Sequence, residues 1–170
     1  MKKTLNNLQE ALTFMIKGLY NAETELQKAL TECLLKASNI NLRTEIKNYA
    51  ESSSDKLLKL ERVLTYLAEE PKDKINPVME KLLDETHYLL KHASNDKIRD
   101  VLIISCIQNI NHYKIAGYGT AQSLAMELEL ATVTDLLHEI LTWEKQTDRH
   151  LTKIATDEVN VKAAKAGEVF

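Results

Sequence analysis

The chain has 170 residues, 44% of them hydrophobic, with only four Gly and two Pro. This length fits one domain with a sizeable core, and long segments rich in Leu, Ala, Glu and Lys predict an all-α fold. The net charge is -3 with acids and bases interspersed, and nothing approaches ~18 consecutive apolar residues. We therefore expect a cytoplasmic protein that does not use nucleic acid or a membrane as a partner.

The first helix is predicted from the N-cap candidate Thr4 to about Lys36. Glu23 lies seven residues from both Ile16 and Leu30, so it faces inward. The apolar positions recur at steps of three and four, as in an amphipathic bundle helix: Leu5, Leu8, Leu12, Met15, Leu19, Ala22, Leu26, Ala29 and Cys33. Cys33 and Cys106, which lie far apart with no CxxC pair, are interpreted as buried thiols.

Ser38-Asn39-Ile40-Asn41 ends the first helix and caps a second, which is predicted to run to about residue 69. The apolar stripe of this second helix turns polar at its middle, around Ser53 and Lys56. Lys56 has Tyr49 seven residues away in the stripe, so at least its aliphatic stem borders the core.

Pro71 and Pro77 mark the clear connector of the chain. A shorter helix from about Val78 to Lys91 is predicted to cross over outside the bundle. Ser94-Asn95-Asp96 then caps a third long helix, which extends to about Glu127.

Polar residues also lie at the middle of the last two long helices. Asn111 has Ile104 and Tyr118 seven residues away, which places it in the core, and His112 lies one position round the helix. A fourth long helix is predicted from about 131 to 157, with Glu144 inside its apolar stripe and Asp148 one turn on. The domain is taken as residues 1–158, and the tail 159–170 has a weak pattern and is expected to fray.

These polar positions lie near the midpoints of their helices, so antiparallel packing brings them to one level. Bundles with a di-metal centre place Glu and Glu-x-x-His groups there, because hard cations offset the desolvation of carboxylates. This chain has no Glu-x-x-His pair in the second or fourth helix, and its third helix offers Asn and His. A complete di-iron site is therefore not visible.

Three interpretations remain open. In the first, the layer is metal-free, and Lys56 or Lys114 approaches Glu23 or Glu144 within salt-bridge distance; losing one partner then costs ~3–5 kcal/mol. In the second, the layer holds a single or weak metal site. In the third, the carboxylates are exposed. The candidate ligands for iron or manganese are Glu23, His112, Glu144 and Asp148.

Three segments resemble the ferritin-like stress proteins of the YciE/YciF type: Leu19-Tyr20-Asn21-Ala22-Glu23, His112-Tyr113-x-Ile115-Ala116-x-Tyr118-Gly119-Thr120, and Glu144-Lys145-x-Thr147-Asp148. The resemblance spans nearly the whole chain. It implies a ferritin-like antiparallel four-helix bundle with a short crossover helix between the second and third long helices. It further implies bacterial origin, stress association, a homodimer and a metal site, for which Glu23, His112, Glu144, Thr147 and Asp148 match by position.

The departures from the family pattern fall on the chemistry. Asn111 stands where the family has Glu, and Lys114 where it has an acid. The family pattern His-x-x-Glu-Thr-x-x-Gln in the second helix is replaced by Tyr49, Ser52, Ser53 and Lys56. The resemblance therefore predicts a metal centre that is reduced or lost.

Two functions follow from these observations. The first is a non-enzymatic, stress-associated protein with a structural polar layer, acting through dimer or partner contacts. The alternative is a metal-binding protein or oxidoreductase that uses the reduced carboxylate site.

Overall fold

The computed structural model describes residues 4–71 and 75–167, with side chains placed through 165. These ranges contain helices and short connections and no β-strand. The elements are α1 (Leu8–Lys36), α2 (Ile40–Tyr66), α3 (Pro77–His92), α4 (Asp96–Glu127), α5 (Ala131–Ile154), a π-helical turn (Ala155–Val159) and α6 (Asn160–Gly167).

Asparagine side chains cap the N-termini of four of these helices. Asn7, Asn39, Asn76 and Asn95 each accept a hydrogen bond from a backbone N–H in the first helical turn, which satisfies donors that have no partner inside the helix. The sequence pattern predicts Thr4 as the cap of the first helix, and this prediction is wrong. The cap is Asn7, whose Oδ1 accepts a hydrogen bond from the Glu10 N–H at 2.8 Å.

The four long helices α1, α2, α4 and α5 form the bundle. In it, α1 packs on α2 and α4, and α5 packs on the same two helices. The helices α1 and α2 are antiparallel, since Gln27 bonds to Ser54 while Lys17 pairs with Glu69. The pairs α2–α5, α4–α5 and α1–α4 are also antiparallel. The helices α2 and α4 therefore point in the same direction. Their connection must cross the length of the bundle, and it includes α3, which packs mainly on α4.

The apolar core is divided into two clusters along the bundle axis. One contains Leu26, Ile46 and Ile107, and the other contains Leu12, Leu64 and Leu137. On each long helix the change from one cluster to the other falls near its middle, where the buried polar side chains lie. The sequence pattern had predicted a polar layer at this level.

The C-terminal segment continues as helix beyond the predicted end of the domain. A π-helical turn follows α5, and Val159 within it is buried. The Glu158 carboxylate accepts hydrogen bonds from Asn39 Nδ2 at 3.1 Å and Asn41 Nδ2 at 2.6 Å. The segment is thereby attached to the start of α2. Within the described ranges, no helix combines the length and apolar character needed to cross a membrane.

Candidate functional site

Glu23 on α1 is fully buried and has partners on two other helices. Its Oε1 is 2.7 Å from Lys114 Nζ and accepts a hydrogen bond from the Tyr118 hydroxyl at 2.7 Å. Its Oε2 accepts from Ser53 Oγ at 2.7 Å. Both oxygens of this carboxylate are therefore satisfied, which is required of a charge withdrawn from water.

Glu144 on α5 is the second buried carboxylate. Its Oε2 accepts hydrogen bonds from the Tyr49 hydroxyl at 2.7 Å and from Asn111 Nδ2 at 2.6 Å. Its Oε1 lies 2.6 Å from Lys56 Nζ and 2.9 Å from Lys114 Nζ. Both contacts are ion pairs between fully buried groups.

Two ammonium groups and two carboxylates thus share one interior layer, and all four side chains have 0% exposure. Lys114 bridges the two carboxylates and donates to the Tyr49 hydroxyl at 3.1 Å. The formal charges cancel, which reduces the cost of placing them in a medium of low polarity. The prediction that Lys56 or Lys114 lies within salt-bridge distance of Glu23 or Glu144 is confirmed.

The network sets the protonation of its members. Burial disfavours the charge of Lys114, but Glu144 and Glu23 outweigh it, and the pKa of Lys114 is raised. Burial lowers the pKa of Lys56, and the charge of Lys114 lowers it further, against the attraction of Glu144. Burial alone would raise the pKa of Glu144. The two ammonium groups have the larger effect, so the pKa of Glu144 is lowered.

The two tyrosines act as neutral donors. Burial first, and then the nearby carboxylates, raise the pKa of Tyr49 and that of Tyr118 well above the usual value. Each hydroxyl therefore keeps its proton and donates it to a carboxylate. Sequence patterns had placed both side chains in the core without assigning them this role. The available signal was their spacing, since Tyr49 lies seven residues from Lys56 and Tyr118 seven from Asn111.

The structure separates the four candidate metal ligands into two pairs. Glu23 and Glu144 lie in the buried layer, but the His112 side chain is 61% exposed and that of Asp148 is 24% exposed. His112 Nε2 is 3.2 Å from Asp148 Oδ1 on the outer face of α4 and α5, where Gln108 Nε2 also donates to Asp148 at 2.9 Å. In the described part of the chain, no group of three or more His, Cys, Asp or Glu is placed to hold a metal ion.

The residues of the layer do not fit a metal ion. A divalent cation placed between Glu23 and Glu144 would meet the ammonium group of Lys114, which contacts both carboxylates, and that of Lys56, which contacts Glu144. Like charges at such distances repel strongly in the interior. The two lysine ammonium groups therefore occupy the positions in which a metal cation would neutralise the carboxylates.

A third buried carboxylate, that of Asp100 outside the polar layer, stabilises a helix junction. Asp100 accepts hydrogen bonds from the Ser38 backbone N–H at 2.8 Å, from Ser38 Oγ at 2.6 Å and from the Asn39 backbone N–H at 2.9 Å. It thus ties α4 to the α1–α2 junction, at a distance from the polar layer.

The antiparallel bundle of four long helices, the crossover helix and the central polar layer define a ferritin-like helical protein, which confirms the predicted fold class. Residues 7–164 match the family described as a domain of unknown function, DUF892. The chain belongs to this family.

Protein YciF from Escherichia coli (strain K12) is 28% identical over 160 residues, which cover 94% of this chain and 96% of that protein. The crystal structure of the E. coli stress protein YciF matches with a TM-score of 0.87 and 27% identity over 92% of this chain and 99% of that one. YcfI from Rhodopseudomonas palustris, at 24% identity, shares the fold with a TM-score of 0.88 over 91% of this chain and 99% of its own. The resemblance to stress proteins of the YciF type is confirmed.

Proposed function

We propose that this protein is a non-enzymatic, stress-associated structural protein in which a lysine-neutralised polar layer takes the place of a metal centre. The main observation in support is the position of two ammonium groups, 2.6–2.9 Å from the two buried carboxylates. The names of the similar proteins agree with this proposal, because one is called a stress protein and another is provisionally called a structural protein.

The layer would serve to select one arrangement of the helices. Lys56 on α2, Lys114 on α4, Glu23 on α1 and Glu144 on α5 each need a partner on another helix. Sliding any one helix by a turn leaves a buried charge unpaired, which costs several kcal/mol. Buried ion pairs act in this way in some proteins, and here the layer would fix the register of all four long helices.

The protein would then act through its surface, and we propose that it forms a homodimer. A groove of about 560 Å³ between α1, α3 and α4 supports this proposal. Its rim includes Ile75 and Val78, which are 67% and 50% exposed, and exposed apolar surface of this kind often marks a protein interface. Sedimentation equilibrium is expected to give twice the chain mass, and a monomer at all concentrations would contradict the dimer.

The metal-free layer is tested by elemental analysis of untagged protein grown with added iron, manganese or zinc. We expect less than stoichiometric metal in the wild type, in Glu144→Gln, and in Asp148→Asn, which changes the candidate ligand outside the layer. One metal per chain that is lost in Glu144→Gln would contradict the proposal and favour a metal-binding protein or oxidoreductase. A metal lost only in Asp148→Asn would place it at the outer pair with His112, and would contradict the metal-free proposal as well.

A further inference from the structure

The two cysteines of the chain lie on neighbouring helices, Cys33 on α1 and Cys106 on α4. Both are free thiols inside the protein, with exposed fractions of 1% and 3%. Because α1 and α4 pack on each other in antiparallel orientation, the contacts between these two helices determine how far apart the thiols lie.

Both cysteines lie at the same level of the α1–α4 interface. Ser38, just after α1, contacts Asp100 of α4, with Ser38 Oγ 2.6 Å from Asp100 Oδ2. Cys33 lies five residues before Ser38, and Cys106 lies six residues after Asp100. The ion pair between α1 and α4 in the polar layer, on the other side, is ten residues from Cys33 and eight from Cys106. At about 1.5 Å per residue, the levels of the two cysteines differ by roughly 2–3 Å at most.

Each cysteine also lies on the face of its helix that packs on the other helix. Gly117 of α4 touches Leu19 of α1, since a Cβ at Gly117 would lie 2.9 Å from Leu19 Cδ2. Cys106 lies eleven residues before Gly117, which is about three turns, and Cys33 lies fourteen residues after Leu19, about four turns. Packed helices have axes about 8–10 Å apart and Cα atoms about 2.3 Å from each axis. Cα atoms on facing sides are therefore roughly 4–7 Å apart, and a disulfide spans about 4.4–6.8 Å.

Neighbouring groups support this proximity and distinguish the two thiols. The residue before Cys33 is Glu32, whose Oε2 is 2.6 Å from His87 Nε2 of α3, and Cys106 forms a hydrogen bond with the hydroxyl of the preceding α3 residue, Thr86. Burial, and then the nearby Cys106, raise the pKa of Cys33 to about 12. Burial also raises the pKa of Cys106, but the hydrogen bond with Thr86 lowers it. Because the thiolate is the reactive form, Cys106 is the thiol that reacts first.

We propose that hydrogen peroxide joins Cys33 and Cys106 in a disulfide that ties α1 to α4. The Cys106 thiolate attacks one peroxide oxygen, an S–O bond forms, the O–O bond breaks, and the leaving hydroxide takes up the thiol proton and departs as water. The Cys33 sulfur then attacks the sulfur of this sulfenic acid. The S–S bond forms, the S–O bond breaks, and a second water leaves with the Cys33 proton. The two thiols lose two electrons, which reduce one peroxide to two waters.

Local opening of α3 gives peroxide access to the thiols. This helix lies outside the four-helix bundle, and of its residues only Met79, Thr86 and Leu90 are buried. A segment with so few buried side chains opens at a lower free energy than the whole fold. The disulfide leaves the charged layer unchanged, because the cysteines lie at least eight residues, or about 12 Å, along their helices from the ion pair between α1 and α4. It therefore goes beyond the proposed function and does not depend on it.

The test treats folded, full-length protein with hydrogen peroxide, then unfolds it in urea and labels the remaining thiols with N-ethylmaleimide. Reduced protein takes up two labels. We expect the oxidised protein to take up none, to remain a single chain, and to give one peptide pair that joins Cys33 to Cys106 and separates with dithiothreitol. It should also melt at a higher temperature than the reduced protein, since the bond cross-links the native arrangement. In the control Cys33→Ser, the remaining thiol should be oxidised without an intramolecular bond.

Three results with the wild-type protein would overturn the proposal, and none depends on the folding of a variant. The first is uptake of two labels after peroxide treatment that fully oxidises the urea-unfolded chain. The second is loss of the labels through sulfinic acids or through disulfides between chains, without the Cys33–Cys106 peptide pair. The third is an oxidised protein that melts at a lower temperature than the reduced one, because the bond would then require a non-native arrangement of α1 and α4.

Discussion

The substitution Glu144→Gln changes the buried layer with the least change of shape. It removes one negative charge, so that Lys114 keeps only Glu23 as an ion-pair partner and Lys56 loses the carboxylate that it contacts. Glu144 contacts two ammonium groups, at 2.6 and 2.9 Å, and accepts two further hydrogen bonds. Loss of one partner from a buried ion pair costs ~3–5 kcal/mol. For a chain of this size that corresponds to a melting temperature lower by roughly 6–20 °C.

The assay is urea unfolding followed by circular dichroism, with the free energy extrapolated to water. The matched control is Glu51→Gln, whose partner Lys47 is 3.9 Å away and whose side chain is 67% exposed; exposed pairs of this kind contribute less than about 1 kcal/mol. The reasoning is refuted if Glu144→Gln lowers the free energy of unfolding no more than Glu51→Gln does.

Three further predictions concern pH, glycine and a buried carboxylate. Because ion pairs lower the pKa of Glu144 from its usual 4.5, the stability that it supplies is present above that pH and lost as the pH falls through the lowered value; acid titration of Glu144→Gln should lack this loss. Gly119→Ala places its Cβ in open space and should raise the free energy of unfolding by up to ~1 kcal/mol. In Gly117→Ala the Cβ lies 2.9 Å from Leu19 Cδ2, and this crowding should cancel the gain. Equal changes of the two variants in urea unfolding would contradict this. Asp100→Ala removes an acceptor of three hydrogen bonds and should cost about 1.5–3 kcal/mol or more, with faster amide exchange at residues 38 and 39 as the readout; unchanged exchange would contradict the assigned contacts.

Periodicity was sufficient to predict which polar residues face the core. Positions three, four and seven residues apart share a face of a helix, so apolar neighbours at these offsets identify Glu23, Asn111 and Glu144 as internal. The structure buries all three, together with Lys56 and Lys114. The inward stem of Lys56 was predicted from the same rule, and the full burial of its ammonium follows from the carboxylate opposite it.

Periodicity could not predict the partners in detail. His112 is next to Asn111 in sequence, but one position is about a quarter turn, which is enough to carry its ring to the surface beside Asp148. The tyrosine hydroxyls depend on distances between helices, which no single helix pattern contains. The π-helical turn after α5 adds a residue to one turn, so the face of the C-terminal segment could not be extrapolated from the 3.6-residue period of α5.

The central claim is that lysine ammonium groups fill the cation positions between Glu23 and Glu144. The most direct measurement is a crystal structure of untagged protein grown with excess manganese, with diffraction recorded near the manganese absorption edge. The account predicts Lys114 Nζ in contact with both carboxylates and no anomalous peak between them. A strong anomalous peak coordinated by Glu23 and Glu144, with the lysine side chains displaced, would contradict it.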